Sequence, residues 1–83
     1  DGLVPIVAPM SGTFYRAPAP GAPPFVEVGS TVNANDVVCI IEVMKLFNSI
    51  RASTAGVIAE ICADNESAIV AGQPVIWIEP RKP

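Results

Sequence analysis

Histidine is absent from this 83-residue sequence, which removes the commonest general base and metal ligand near neutral pH. Charge is scarce and leans acidic: 16% of residues are charged and the formal net charge is −3. A nucleic-acid partner calls for a basic face, and five Lys and Arg against eight Asp and Glu do not supply one. No apolar run is long enough for a membrane-spanning helix, so no membrane association is expected. The two cysteines, Cys39 and Cys62, lie far apart in apolar segments. They read as reduced core thiols of a reducing compartment, with a disulfide or metal pair as the alternative. Ser, Asp and Glu occur in no arrangement that pairs a nucleophile with a base, so neither a catalytic set nor a metal site is expected. The opening Asp1-Gly2-Leu3-Val4 lacks a signal-peptide layout and does not begin with Met; the sequence is expected to be the C-terminal part of a longer chain.

What is present is apolar and β-prone. Hydrophobic residues make up 51% of the chain, enough to fill one core at a length near the lower limit for a domain. Val, Ile and Thr recur in short segments between turn residues, with no sustained helical period, which predicts a small all-β sandwich or barrel. An internal repeat sharpens this. Ile6 to Phe14 lies over Ile50 to Ile58 at an offset of 44, and Val32 to Glu42 lies over Ile69 to Glu79 at an offset of 37. Two similar halves predict a pseudo-two-fold pair of interlocked sheets. The offsets differ by seven residues, so the first half carries an insertion between Gly12 and Val32. Arg16-Ala17-Pro18-Ala19-Pro20-Gly21-Ala22-Pro23-Pro24 fits it, because proline cannot pair inside a sheet and stiffens a loop. It should project from the fold, either as a functional element or as a tolerated surface insertion. Gly12, Gly29, Gly56 and Gly72 read as turn or bulge positions, Trp77 and Phe25 as core aromatics, and Tyr15 as half exposed beside the insertion.

One lysine stands out. Lys45 lies between Val37-Val38-Cys39-Ile40-Ile41 and Leu46-Phe47, and the only other lysine, Lys82, is in the terminal tail. An unpaired ammonium is rarely buried, and the apolar run is too long for one ordinary strand. A hairpin with Met44-Lys45 at its tip resolves both difficulties. The favoured two-residue turns need positive φ and usually carry Asn or Gly; Met44-Lys45 has neither, so the turn bears a backbone cost. That cost points to a demand on the side chains, such as covalent modification of the lysine. The alternative is a lysine snorkelling from the end of a buried strand. Glu42 has three open roles: pairing with a cation, helping a modifying enzyme dock, or solubility at a hairpin edge.

The segment Glu42-Val43-Met44-Lys45-Leu46 resembles the Glu-Ala-Met-Lys-Met signature of biotinyl domains, in which a biotin protein ligase acylates the lysine. Ala8-Pro9-Met10-Ser11-Gly12-Thr13-Phe14-Tyr15-Arg16, Phe25-Val26-Glu27-Val28-Gly29 and Asn48 look like the biotin carboxyl carrier family of acetyl-CoA carboxylase, so the resemblance covers nearly the whole of 1–83. It implies a flattened barrel of two four-stranded antiparallel sheets, with the hairpin opposite the chain termini and biotin joined by an amide to Lys45. It also implies that the insertion, about residues 16–25, is the thumb loop of bacterial and plastid-type carriers, which reaches toward the biotin. Thr or Ser is common in such thumbs where this chain has Ala17, leaving a backbone carbonyl for any contact there. Val43, Leu46 and Phe47 replace Ala, Met and Met of the commonest form and remain apolar.

The function so implied is carriage of a carboxyl group, without catalysis by the domain itself, from a biotin carboxylase to a carboxyltransferase. The product would be malonyl-CoA for fatty-acid synthesis, in a bacterial cytoplasm or, alternatively, a plastid stroma. Two other modules share the expected shape. Lipoyl domains usually place Asp before the lysine and Ala after it, unlike Met44 and Leu46. Efflux-pump adaptor domains lack a displayed Met-Lys.

Overall fold

The computed structural model describes residues 2–81 of the chain; Lys82, read as part of the tail, lies outside the described residues. Eight strands follow in order: β1 Val4–Val7, β2 Gly12–Tyr15, β3 Thr31–Val32, β4 Val37–Val43, β5 Leu46–Arg51, β6 Gly56–Ile61, β7 Ser67–Ile69 and β8 Pro74–Pro80. They form two four-stranded antiparallel sheets, ordered β1-β8-β6-β3 and β5-β4-β2-β7. Exchanging β1–β4 with β5–β8 turns one order into the other, which is the two-fold relation predicted by the repeat. Each half therefore contributes two strands to each sheet, and neither half has a sheet of its own.

The burial pattern repeats with the topology. In β4, Val38, Cys39 and Ile41 are buried, and in β8 the equivalent positions hold Val75, Ile76 and Ile78. Strand alternation puts every second side chain inside, and register shifts in β4–β5 and β6–β8 adjust the phase. Phe14 is the largest fully buried side chain and sits with Ile41, Ile58, Ile76 and Ile78 in a single core. The symmetry maps the β4–β5 tip onto the place where β1 begins and β8 ends, side by side in the other sheet.

Four expectations change here. Trp77 is only half buried; it occupies the outward phase of β8, opposite Pro5 and Glu60. Phe25 is also half buried and packs on the core from outside. Gly29 and Gly72 do lie in turns with positive φ, but Gly12 and Gly56 lie in strands. A Cβ at Gly12 would overlap the Glu42 carbonyl oxygen, and one at Gly56 the Glu79 carbonyl oxygen. These two glycines are therefore required by close approach of strands, at equivalent places in the two halves.

The last correction concerns the thiols: Cys39 is buried but Cys62 is exposed, and both are free. Burial pushes the Cys39 thiol up to about 12. The Cys62 thiol is also raised, by its partial burial first and then by the charge and hydrogen bond of Glu60, against a lowering hydrogen bond with Trp77. Reaction requires thiolate and access. Iodoacetamide on the native domain at pH 8 should label Cys62 slowly and leave Cys39 unmodified until denaturant is added. Equal labelling of both under native conditions would show a core that opens readily.

Candidate functional site

Strands β4 and β5 pair from Val37 to the closing pair Val43–Leu46, which leaves Met44 and Lys45 as a two-residue turn. Their φ angles are 52° and 67°, the left-handed region at both central positions, as in a type I′ turn whose twist matches a hairpin. Without Gly or Asn, that backbone costs roughly 1–2 kcal/mol per residue. The local sequence offsets this with side-chain hydrogen bonds. Glu42 Oε2 accepts from the backbone N–H of Lys45 at 2.7 Å. Asn48 Nδ2 donates to the carbonyl oxygens of Ile41 at 3.2 Å and Leu46 at 3.4 Å.

The tip is unusually apolar for an exposed surface. Met44 is 88% exposed, Leu46 71% and Phe47 65%, and Lys45 is exposed between them. Lys45 takes no part in an ion pair among the described residues, where the one found joins Arg16 to Glu27. Its amine is thus open to an incoming acyl donor, with apolar neighbours to grip. Of the five signature residues, Glu42 and Val43 are half buried, and Val43 alone packs on the core, anchoring the turn.

The proline-rich insertion forms a closed loop. At its base, the Phe25 N–H donates to the Arg16 carbonyl at 2.8 Å, and Arg16 Nη2 donates to the Val26 carbonyl at 3.1 Å. The Arg16 N–H donates to Asn65 Oδ1 at 2.8 Å, which ties the base to the loop before β7. At its tip, Ala22 N–H to Ala19 carbonyl, 3.1 Å, closes a turn around Pro20-Gly21. Gly21 has a φ of 79°, so Pro then Gly occupy the positions that a type II turn favours.

Residues 17–22 of this loop stand over Tyr15, Ile40, Phe47, Asn65 and Glu66, enclosing an open groove of about 450 Å³. The Tyr15 and Phe47 rings lie 6.1 Å apart at 50° on its floor, a tilted contact that aromatic pairs favour. Phe47 belongs to both features, so the groove opens beside the lysine hairpin. Pro23 and Pro24 carry the chain back to the loop base and do not line the groove. Sequence reasoning missed Ile40, Asn65 and Glu66 as groove residues; the repeat held a signal, since the 37-residue offset maps Asn65-Glu66 onto Val28-Gly29, just after the insertion.

An exposed lysine on a built turn, next to a groove lined by apolar side chains together with Tyr15, Asn65 and Glu66, fits covalent attachment of a small group through an amide. Comparison with known proteins points the same way. The sequence model of the family described as "Biotin-requiring enzyme" matches residues 4–78. The chain is 50% identical over 80 residues to the chloroplastic biotin carboxyl carrier protein of acetyl-CoA carboxylase of Glycine max, covering 96% of this chain and 30% of that one. It is 47% identical over 72 residues to the biotin carboxyl carrier protein of acetyl-CoA carboxylase of Haemophilus influenzae, covering 87% of this chain and 46% of that one. The chain thus spans between about a third and a half of these relatives' lengths. Among solved structures, the urea carboxylase of Kluyveromyces lactis superposes with a TM-score of 0.77 at 29% identity, over 94% of this chain and 6% of that one. A single-chain long-chain acyl-CoA carboxylase gives a TM-score of 0.81 at 16% identity, over 96% of this chain and 7% of that one, a likeness of fold alone.

Proposed function

The chain belongs to the biotin-requiring enzyme family, and from that premise we propose that it is a biotin carboxyl carrier domain whose cofactor is joined to Lys45. The observation that carries this is the Met44-Lys45 turn, which holds an exposed amine in solvent at the cost of left-handed backbone in two residues that disfavour it. Attachment forms an amide between Lys45 Nζ and the cofactor's carboxyl carbon, expels the activating group and releases the surplus ammonium protons to solvent. It removes one positive charge, so the formal net charge of −3 becomes one unit more negative. Bound biotin supplies a long arm able to carry a carboxyl group.

The chain's own residues attach, display and shelter. Met44 and Leu46 offer the apolar grip beside the amine for a biotin protein ligase. Glu42, Val43 and Asn48 hold the turn. The thumb, Ala17 to Pro24, offers a groove beside the arm, where Ala17 has only its backbone to hydrogen-bond with. The similarity to acetyl-CoA carboxylase carriers supports a place as one domain of such a subunit, serving a biotin carboxylase and a carboxyltransferase that makes malonyl-CoA. Its setting would be a bacterial cytoplasm or a plastid stroma. Tethering raises the local concentration of the arm at both active sites, and the hard chemistry stays with the cofactor and those sites.

Amide spectra of the domain before and after loading by a biotin ligase, followed by a bicarbonate-transfer assay with a biotin carboxylase and ATP, test this reading. Shifts at Met44–Phe47 and at Ala17–Ala22, with label transferred to the loaded domain only, are expected. Unchanged thumb amides would confine the cofactor's contacts to the hairpin, and no label on the loaded domain would contradict carriage.

A further inference from the structure

Glu42 is half buried on the outward face of β4, where it pairs with Thr13 on one side and Phe47 on the other. A charge at a hairpin edge is usually just solvated, and beside a lysine it is usually its counter-ion. Neither describes this carboxylate. It forms no ion pair with Lys45 among the described residues, and Oε2 instead accepts the Lys45 backbone N–H at 2.7 Å. That bond runs from the residue before the closing pair to the second residue of the turn.

Other turns in the molecule use a related bond of opposite polarity. Asp36 Oδ2 accepts the Asn33 N–H at 2.8 Å around left-handed Asn35. Gln73 Oε1 accepts the Val70 N–H at 3.0 Å around Gly72, and Ser30 Oγ accepts the Glu27 N–H at 2.9 Å around Gly29. In each, a side-chain oxygen binds the backbone N–H three residues before it across a positive-φ residue, whereas Glu42 binds the N–H three residues after it. The tip differs in having two such residues in succession, neither of them Gly or Asn. It is where this fold most needs the clasp.

We propose that Glu42 is a positioning residue for the attachment reaction: by holding the Lys45 amide it keeps the Met44-Lys45 turn left-handed and so presents the lysine amine to the acylating enzyme. The role needs an acceptor oxygen and not a negative charge; the neutral amide oxygen of Gln73 spans a positive-φ residue at its own turn, with the bond running the other way. It rests on the carrier reading for the reaction served, while the clasp itself is a property of the backbone.

The variants E42A and E42Q separate these roles. E42A removes the acceptor, so a smaller fraction of molecules holds the competent turn, and apparent affinity falls in proportion to that fraction. A rise in the ligase KM for the domain of about tenfold with little change in kcat is expected, for one lost hydrogen bond. E42Q should recover most of that loss. In NMR spectra, the strong intraresidue amide–Hα cross-peaks that mark left-handed backbone at Met44 and Lys45 should weaken in E42A and persist in E42Q. Core amide shifts and the thermal midpoint check that both variants stay folded. E42Q falling as far as E42A would overturn the proposal in favour of a docking charge, and an E42A variant with unchanged cross-peaks would overturn it outright. If wild-type domain takes no biotin from the ligase, the carrier reading fails, and the cross-peaks alone decide the clasp.

Discussion

Lys45→Arg yields a folded domain that no biotin ligase can load. The side chain at 45 is exposed, and among the described residues the hydrogen bond found for Lys45 uses its backbone N–H, which arginine retains. Stability should therefore change by no more than about 0.5 kcal/mol, as for most surface substitutions. The chemistry changes completely. A guanidinium stays protonated and spreads its charge over the fork, so it offers no free amine lone pair to an acyl donor. Intact-protein mass after incubation with ligase, ATP and biotin should show no addition, with thermal unfolding unchanged. Biotin on Lys82 in this variant would show that the ligase reads something other than the hairpin.

The second large effect is on stability and lies far from the lysine. In Gly56→Ala the new methyl would overlap the Glu79 carbonyl oxygen, with Ile78 Cγ2 at 2.8 Å and the Glu79 carbonyl carbon at 2.9 Å. Two of these neighbours are backbone atoms of β8, the strand that pairs with both β1 and β6. They cannot turn aside as a flexible side chain would. Overpacking of this kind typically costs 1–3 kcal/mol, and a loss of about 3 kcal/mol is expected here. For a domain of this size that lowers the melting temperature by about 15 °C. Gly12→Ala meets the Glu42 carbonyl oxygen, but its next neighbours, the Cγ2 atoms of Ile41 and Val43, are 3.0 Å away, so its loss should be smaller. A Gly56→Ala midpoint within a few degrees of wild type would mean that β6 and β8 separate more easily than their register suggests.

Much of this architecture can be read from the repeat. The two offsets, 44 and 37, contain the strand exchange, the insertion and the place of the turn, because a pseudo-two-fold fold must repeat its apolar and turn positions. The lysine could be found because an unpaired ammonium in an apolar run has few places to go. What the sequence hid was phase and proximity. Trp77 and Cys62 look like core residues by composition, and only the bulge-adjusted register of β8 and the end of β6 turns them outward. Gly12 and Gly56 resemble turn glycines because a glycine needed for positive φ and one needed for close approach have the same spelling. The groove depends on Ile40, Phe47 and Glu66, which are distant in sequence and meet only when β5, β4, β2 and β7 assemble. The Glu42 clasp depends on a side-chain torsion, which no spacing rule contains.

The most direct test of the carrier reading is peptide mapping of the wild-type domain after incubation with biotin ligase, ATP and biotin. One biotinyl group, confined to the peptide bearing Lys45, is the predicted result. A folded domain that remains unmodified, or that carries biotin at Lys82 with Lys45 free, would contradict it.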